Sequence, residues 1–225
     1  MKNDFTKTNL FSCPIYKIRI DPNSYDKEKI LKDIKYNKNL KNIRNDAHQV
    51  IGNQKQTNIH HSYQDHYNEN FRIINYEKLS DAYLEIFKEF FEKEIINSSS
   101  FSWKFEIVNY SAISEGQYLL SHDHIPTSDF ASIHYLNFKD DHNFTSFNNP
   151  ATGVPYLNYI QRELMDVLDF SALDNSYFWR HFEFSVEEDD MIIFPSALVH
   201  EVLAQKPTKE PRITISANMC VLPQV

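Results

Sequence analysis

His122 and His124 stand two apart, and a third histidine, His200, follows much later in the chain. Imidazole suits iron, zinc, copper and nickel, so three convergent histidines would make a metal centre whose ligand type alone leaves the metal open. On a strand, a His-x-His pair turns both rings to one face and Asp123 to the other, because side chains alternate with period two. Such pairs also arise by chance, and the setting of His200 is what strengthens this one. Residues 188–195 read as a turn feeding an apolar strand that Pro195 ends, which puts a histidine just beyond it at a barrel mouth. In residues 211–219, alternation gives one face to Arg212, Thr214 and Ser216 and the other to Ile213, Ile215 and Ala217. A polar stripe of this kind is either the solvated face of a strand or the polar wall of a cavity. Inside a barrel, Arg212 needs an anion, because an unpaired buried charge is expensive. The end group of a dicarboxylate meets that need bidentately, with Thr214 adding a hydroxyl.

The elements that must hold these residues follow from periodicity. Residues 10–20 alternate and read as a first strand, and 21–24 form a turn that offers helix caps. A short polar helix is expected over 25–36, and a mostly irregular stretch over 37–70. A longer helix is expected over 76–96, with Leu79, Tyr83, Ile86, Phe87 and Phe90 forming a stripe that packs on a sheet. From Phe101 the period falls to two, with Trp103, Phe105 and Ile107 on one face, then further strands around 119–120 and 133–138. After an insertion near 150–175, strands are expected over 176–186, 191–194, 201–204 and 212–222. Short strands at this density suggest a sandwich or barrel. The layout is a mainly β (α+β) single domain over 1–225, with a strand and helical support in 1–100 and the β core in 101–225. One face of the strand carrying Tyr177, Trp179, His181 and Glu183 lines the pocket and the other packs; the pattern does not say which. A second histidine group, His60, His61 and His66, reads as an exposed polar loop that is free to cover the site, and a metal there is the weaker alternative.

Charge and composition exclude several classes. The 225 residues are 41% hydrophobic with net charge −8, which supports a sizeable core and lacks the basic footprint of a nucleic-acid binder. The lysines around 27–41 are interleaved with Asp26, Glu28 and Asp33 and read as a solvated helix face. With three glycines, turns lean on Asn, Asp, Ser and Pro. The two cysteines, Cys13 and Cys220, read as free buried thiols of a reducing compartment. There is no apolar leader and no stretch long enough for a membrane span, so the expected setting is the cytoplasm, without membrane or nucleic-acid partners; the oligomeric state, a homodimer among the options, is open.

Taken in order, Tyr110, Gly116, His122-Asp123-His124, Ile133-His134-Tyr135-Leu136-Asn137, residues 190–195, His200 and Arg212-Ile213-Thr214 resemble the iron(II)/2-oxoglutarate-dependent oxygenases. The likeness is greatest to the prolyl-hydroxylase-type branch and to the bacterial and phage 2-oxoglutarate oxygenases with a His-x-His motif. It covers residues 103–222, and residues 10–16 are similar to the start of the latter group. The resemblance implies a double-stranded β-helix (jelly-roll) with Fe(II) held by His122, His124 and His200. It also implies 2-oxoglutarate as cosubstrate, held through its far carboxylate by Arg212, Thr214 and Tyr135 with Tyr110 as a second tyrosine of the cosubstrate pocket, and O2 as oxidant. Most of that family carries a carboxylate where this chain has His124. Asp123 lies on the wrong strand face to replace it unless a bulge intervenes, and Asp129 is more remote. An imidazole there adds one unit of positive charge relative to a carboxylate and leaves no room for halide, which argues against halogenation.

The function so implied is hydroxylation of a C–H bond in a small molecule or peptidyl side chain, with succinate and CO2 as coproducts. Two alternatives come from other classes. One is a cupin-like three-histidine metalloenzyme that does not use 2-oxoglutarate; the other is a non-catalytic jelly-roll binding protein.

Overall fold

Period-two sequence becomes two antiparallel sheets in the computed structural model, which describes residues 13–40, 50–51, 54–55, 59–95, 101–150 and 181–223. In chain order the elements are β1 (Tyr16–Arg19), α1 (Lys27–Asn39), β2 (Val50–Ile51), β3 (Gln54–Lys55), β4 (His60–His61), a 3-10 turn (Ser62–Tyr67), α2 (Glu77–Phe90) and a π turn (Phe91–Ile95). There follow β5 (Phe101–Ile113), β6 (Leu119–His122), β7 (Phe130–Asn137), β8 (Ser146–Asn148), β9 (His181–Glu183), β10 (Asp190–Pro195), β11 (His200–Val202) and β12 (Arg212–Pro223). The large sheet has the order β1-β10-β7-β12-β5-β4, the small one β6-β11-β8-β9, and β2 and β3 form a separate ribbon. This is the mainly β, double-stranded β-helix arrangement, supported by α1 and α2.

Two apolar layers result from the alternation. Leu79, Tyr83, Phe87 and Phe90 of α2 recur at spacings of four and three and pack on the large sheet together with Ile30, Leu31 and Ile34 of α1. Phe91 stacks on Trp103 at 4.9 Å, and Phe87 meets Phe105 edge-on at 5.1 Å. On the opposite face of the large sheet, Ala131, Ile133, Tyr135, Ile192 and Phe194 join Phe147 and Leu198 in the interior between the sheets. Strand β12 takes part in both layers: Ile213, Ile215, Ala217 and Met219 face the helices, and Arg212 and Thr214 face the interior.

Two register shifts adjust that alternation. Between Ser216 and Ala217 the partner on β5 jumps from Asn109 to Ile107, so Val108 is an extra residue. Such a bulge moves everything beyond it to the other face. Tyr110 therefore joins Trp103, Phe105 and Ile107 on the helix side. The second shift, between Ile213 and Thr214, brings Tyr135 opposite Thr214.

Several expectations are corrected. The first strand is confined to Tyr16–Arg19 among the described residues, and its expected start at 10–12 lies outside them. The first helix lies later than expected. Its Lys27 is buried rather than solvated, held by Glu188 at 2.8 Å and Asp189 at 2.5 Å. The stretch expected to be irregular contains β4 and the 3-10 turn. Cys13 is exposed and Cys220 half-buried, so neither is a fully buried thiol. The expected insertion lies mostly within 151–180, which is outside the described residues, as are Tyr177 and Trp179. No helix among the described residues is long and apolar enough to cross a membrane.

His134 ties the helices to the sheet. Its Nδ1 lies 2.9 Å from the Tyr83 hydroxyl in a fully buried setting. Burial, with a smaller push from the Lys27 charge, holds this imidazole down at about 3. The unfolded chain therefore binds the proton that the folded chain refuses, and stability falls as pH drops below the ordinary histidine value of about 6.5. Relative to His134→Asn, the native chain is expected to lose about 1.5 kcal/mol between pH 6.5 and 5.0. Urea unfolding at both pH values checks this, and parallel losses in the two proteins would refute it.

Candidate metal centre

His122 closes β6 and His200 opens β11, and antiparallel pairing sets the two opposite each other. One ligand atom from each of His122, His124 and His200 falls within 4.8 Å of the others. His124 lies two residues past the end of β6, so strand alternation does not place it. Its amide donates to the Ser196 carbonyl at 3.0 Å, and its own carbonyl accepts from the Thr127 amide at 2.9 Å and hydroxyl at 2.7 Å. A second link, between the Ser128 and Ser196 hydroxyls at 2.7 Å, fastens the same turn to the end of β10.

Hydrogen bonds fix the tautomers of two of the rings. His122 Nδ1 is 2.8 Å from the Leu120 carbonyl, and His200 Nδ1 is 3.0 Å from the Leu198 carbonyl. A carbonyl only accepts, so each Nδ1 carries the hydrogen and each Nε2 presents a lone pair. Burial lowers all three histidines, with their mutual repulsion adding to the shift at His124, held at about 4, and His200, held at about 3. Neutral imidazoles are the metal-binding form. Phe194 packs edge-on to His200 at 4.9 Å and Phe147 lies 5.7 Å from it, which gives the centre an aromatic wall.

The interior also holds Arg212, only 2% exposed. Its Nη2 donates to the Thr145 hydroxyl at 2.9 Å, and its Nε has no partner. Thr145, itself fully buried, lies 2.7 Å from the Tyr135 hydroxyl. Among the described residues no carboxylate pairs with Arg212. Burial pulls its pKa below the ordinary guanidinium value, and its charge in turn contributes to lowering His200. Thr214 adds a further buried hydroxyl beside Tyr135 across the β12–β7 pairing. The arrangement is thus a cation with a small polar rim and no anion, sharing an interior with three neutral histidines.

Of the residues expected at the site, His122, His124 and His200 form one group, and Arg212, Thr214 and Tyr135 form another. Tyr110 joins neither. Facing the helix side beyond the Val108 bulge, it donates to Asp65 at 2.6 Å and lies 3.1 Å from His60. His60 and His61 are buried rather than part of an exposed loop, His60 held by Asp65 at 2.9 Å. His66 is exposed. The only cluster of potential ligands among the described residues is the His122 group. Asp123 is exposed and accepts from the Ile125 amide, while Asp129 accepts from the Val221 amide at the end of β12. His181 and Glu183 lie exposed on β9. Thr145 escaped the sequence reading, since a lone threonine before a three-residue strand carries no periodic signal.

No family model and no curated protein matches the sequence. Solved structures are similar in fold. An oxidoreductase of the 2OG-Fe(II) oxygenase family from Burkholderia pseudomallei is 10% identical with a TM-score of 0.43, covering 66% of this chain and 60% of its own, so this chain spans less than two thirds of that neighbour's length. A Trichoplax adhaerens prolyl hydroxylase, solved with a peptide fragment of the hypoxia inducible factor oxygen degradation domain, is 13% identical with a TM-score of 0.49, covering 92% and 83%. The viral collagen prolyl hydroxylase of Paramecium Bursaria Chlorella virus-1, solved with 2OG, is 12% identical with a TM-score of 0.47, covering 94% and 96%.

Thr145 is expected to be needed to tolerate the buried Arg212. Thr145→Val keeps the shape but removes the acceptor, and is expected to cost about 1.5–3 kcal/mol in denaturant unfolding. Thr145→Ser should recover most of that loss. Equal stability of the Val variant and the native chain would contradict the assignment.

Proposed function

We propose that this chain is an iron(II)- and 2-oxoglutarate-dependent dioxygenase that hydroxylates a C–H bond of a small molecule or peptidyl side chain, with succinate and CO2 as coproducts. The observation that carries this reading is the buried Arg212, which no carboxylate among the described residues pairs with and whose charge reaches His200, one of three neutral, convergent histidines. A structural role for the arginine would call for an acidic partner, because an unpaired buried cation is costly. A dicarboxylate that reaches from the histidines to Arg212 supplies that partner.

The residues fit both groups. His122, His124 and His200 would hold the iron, two of them through Nε2 atoms already aimed by the Leu120 and Leu198 carbonyls. Three protein ligands leave coordination positions open, as a catalytic centre requires. Arg212 would grip the far carboxylate through its unpartnered Nε and its remaining guanidinium donors, and Tyr135 and Thr214 would add hydroxyl contacts. Thr145 keeps the guanidinium in place before the ligand arrives, so less ordering is needed on binding. Phe147 and Phe194 exclude water beside His200, which strengthens every charge interaction there. When bound, iron(II) with 2-oxoglutarate and O2 supplies oxidative decarboxylation coupled to hydroxylation.

The all-imidazole donor set favours a second reading, a cupin-like three-histidine metalloenzyme that makes no use of 2-oxoglutarate. Arg212 weighs against it, since nothing in that reading neutralises the cation. Succinate formation separates the two. The native chain with iron(II), 2-oxoglutarate and O2 is expected to release succinate. Arg212→Ala should lower kcat/KM for 2-oxoglutarate by about 10–100-fold through its KM, since charged hydrogen bonds contribute about 1.5–3 kcal/mol, and His200→Ala should abolish turnover. Iron-dependent turnover that neither substitution affects would exclude the proposal.

A further inference from the structure

The charges around the centre do not balance. Three neutral imidazoles leave the full double charge of a divalent ion uncompensated, and Arg212 adds a third positive charge whose effect reaches His200. No buried carboxylate among the described residues opposes either; the charge of Asp123 reaches His122 and His124 from an exposed position. Asp123 and Asp129 are exposed and turned to backbone amides. Asp65 and Asp190, the buried acids nearest in sequence to the site strands, are taken up by other partners. Asp65 accepts from Tyr110 and Asn37, and Asp190 accepts from Arg19 at 3.0 Å and from the Glu187 amide. Bringing a divalent cation alone to these histidines sets it against Arg212 on the buried His200 side, where Phe147 and Phe194 form the wall, while His122 and His124 are half-buried. A dianion alone meets Arg212 but lacks the second positive pole.

We infer that the divalent metal and the dianionic 2-oxo acid enter this site as a thermodynamically coupled pair, each binding weakly alone and much more tightly in the presence of the other, because the ligand supplies the negative charge that His124 does not. The inference rests on the function proposed above and deepens it by assigning a consequence to His124. Chelation by a 2-oxo acid couples ligand to metal at any such centre. What this chain adds is an electrostatic part, set by the missing carboxylate and by Arg212, and that part is removable by substitution. Coupling is reciprocal, so the factor by which 2-oxoglutarate tightens the metal is the factor by which the metal tightens 2-oxoglutarate.

Titration of the full-length chain with Mn(II) under argon, following the electron paramagnetic resonance signal of the free ion, measures metal affinity without turnover. At saturating 2-oxoglutarate the affinity is expected to rise by about 30–150-fold, towards the upper end of ordinary coupling between sites. Pyruvate, which chelates equally but lacks the second carboxylate, should give less than about a third of that factor. In His124→Asp, Mn(II) alone should bind more tightly than in the native chain, and the 2-oxoglutarate factor should shrink at least about fivefold. Arg212→Gln, which keeps the native donor set, should lower the 2-oxoglutarate factor to the pyruvate level and keeps the test decisive if His124→Asp does not fold. Mn(II) affinity that changes less than about threefold with 2-oxoglutarate, or a factor undiminished in both variants, overturns the coupling but leaves the metal centre standing. No Mn(II) binding at any 2-oxoglutarate concentration overturns the metal centre itself, and with it the proposed function.

Discussion

One buried positive charge constrains the rest of this fold. Arg212 sits on the central strand of the large sheet with its charge inside the barrel, where the cost of desolvation must be offset by whatever surrounds it. Alternation along β12 makes the position possible, because the same strand gives Ile213, Ile215, Ala217 and Met219 to the layer against the helices. That layer can pay the entropy of ordering the sheet, and the interior face is left free to be polar. Thr145 and Tyr135 then supply a neutral rim that accommodates the guanidinium without cancelling its charge. A carboxylate in place of Thr145 would have stabilised the arginine and closed the site to anions.

Much of this was legible in the sequence wherever a strand was regular. The opposition of Arg212 and Thr214 to Ile213 and Ile215 is a period-two pattern that β12 preserves. The pattern alone left open whether the polar face was solvated or lined a cavity, and the pairing of His122 with His200 is a long-range contact. The stripe from Leu79 to Phe90 was equally readable at helical spacing. Reading failed where one residue broke the period or where elements were too short to have one. Val108 is such a residue: its insertion turns Tyr110 from the interior to the helix side, and nothing in its type announces a bulge. His60 and His61 form a two-residue edge strand whose burial depends on β5 and Asp65, partners far away in sequence. Lys27 belongs to a lysine-rich helix and looks solvated until the turn carrying Glu188 and Asp189 comes over it. Long-range pairing of this kind leaves no local trace.

His124 joins the two lessons. Period two suggested that it shares a strand face with His122, yet β6 ends before it, and its position comes from the Ser196 carbonyl and the turn through Thr127. A ligand placed by backbone contacts from a turn does not depend on its own side chain for its location. An imidazole or a carboxylate at this position would start from the same backbone, so the exchange need not disturb the sheets, the helices or the two histidines on strands. What it alters is charge, by one full unit, in an interior that already holds an arginine with no carboxylate partner among the described residues. In the proposed metal centre, the chemistry would therefore be set less by where the histidines stand, which the barrel decides, than by where the negative charge must come from.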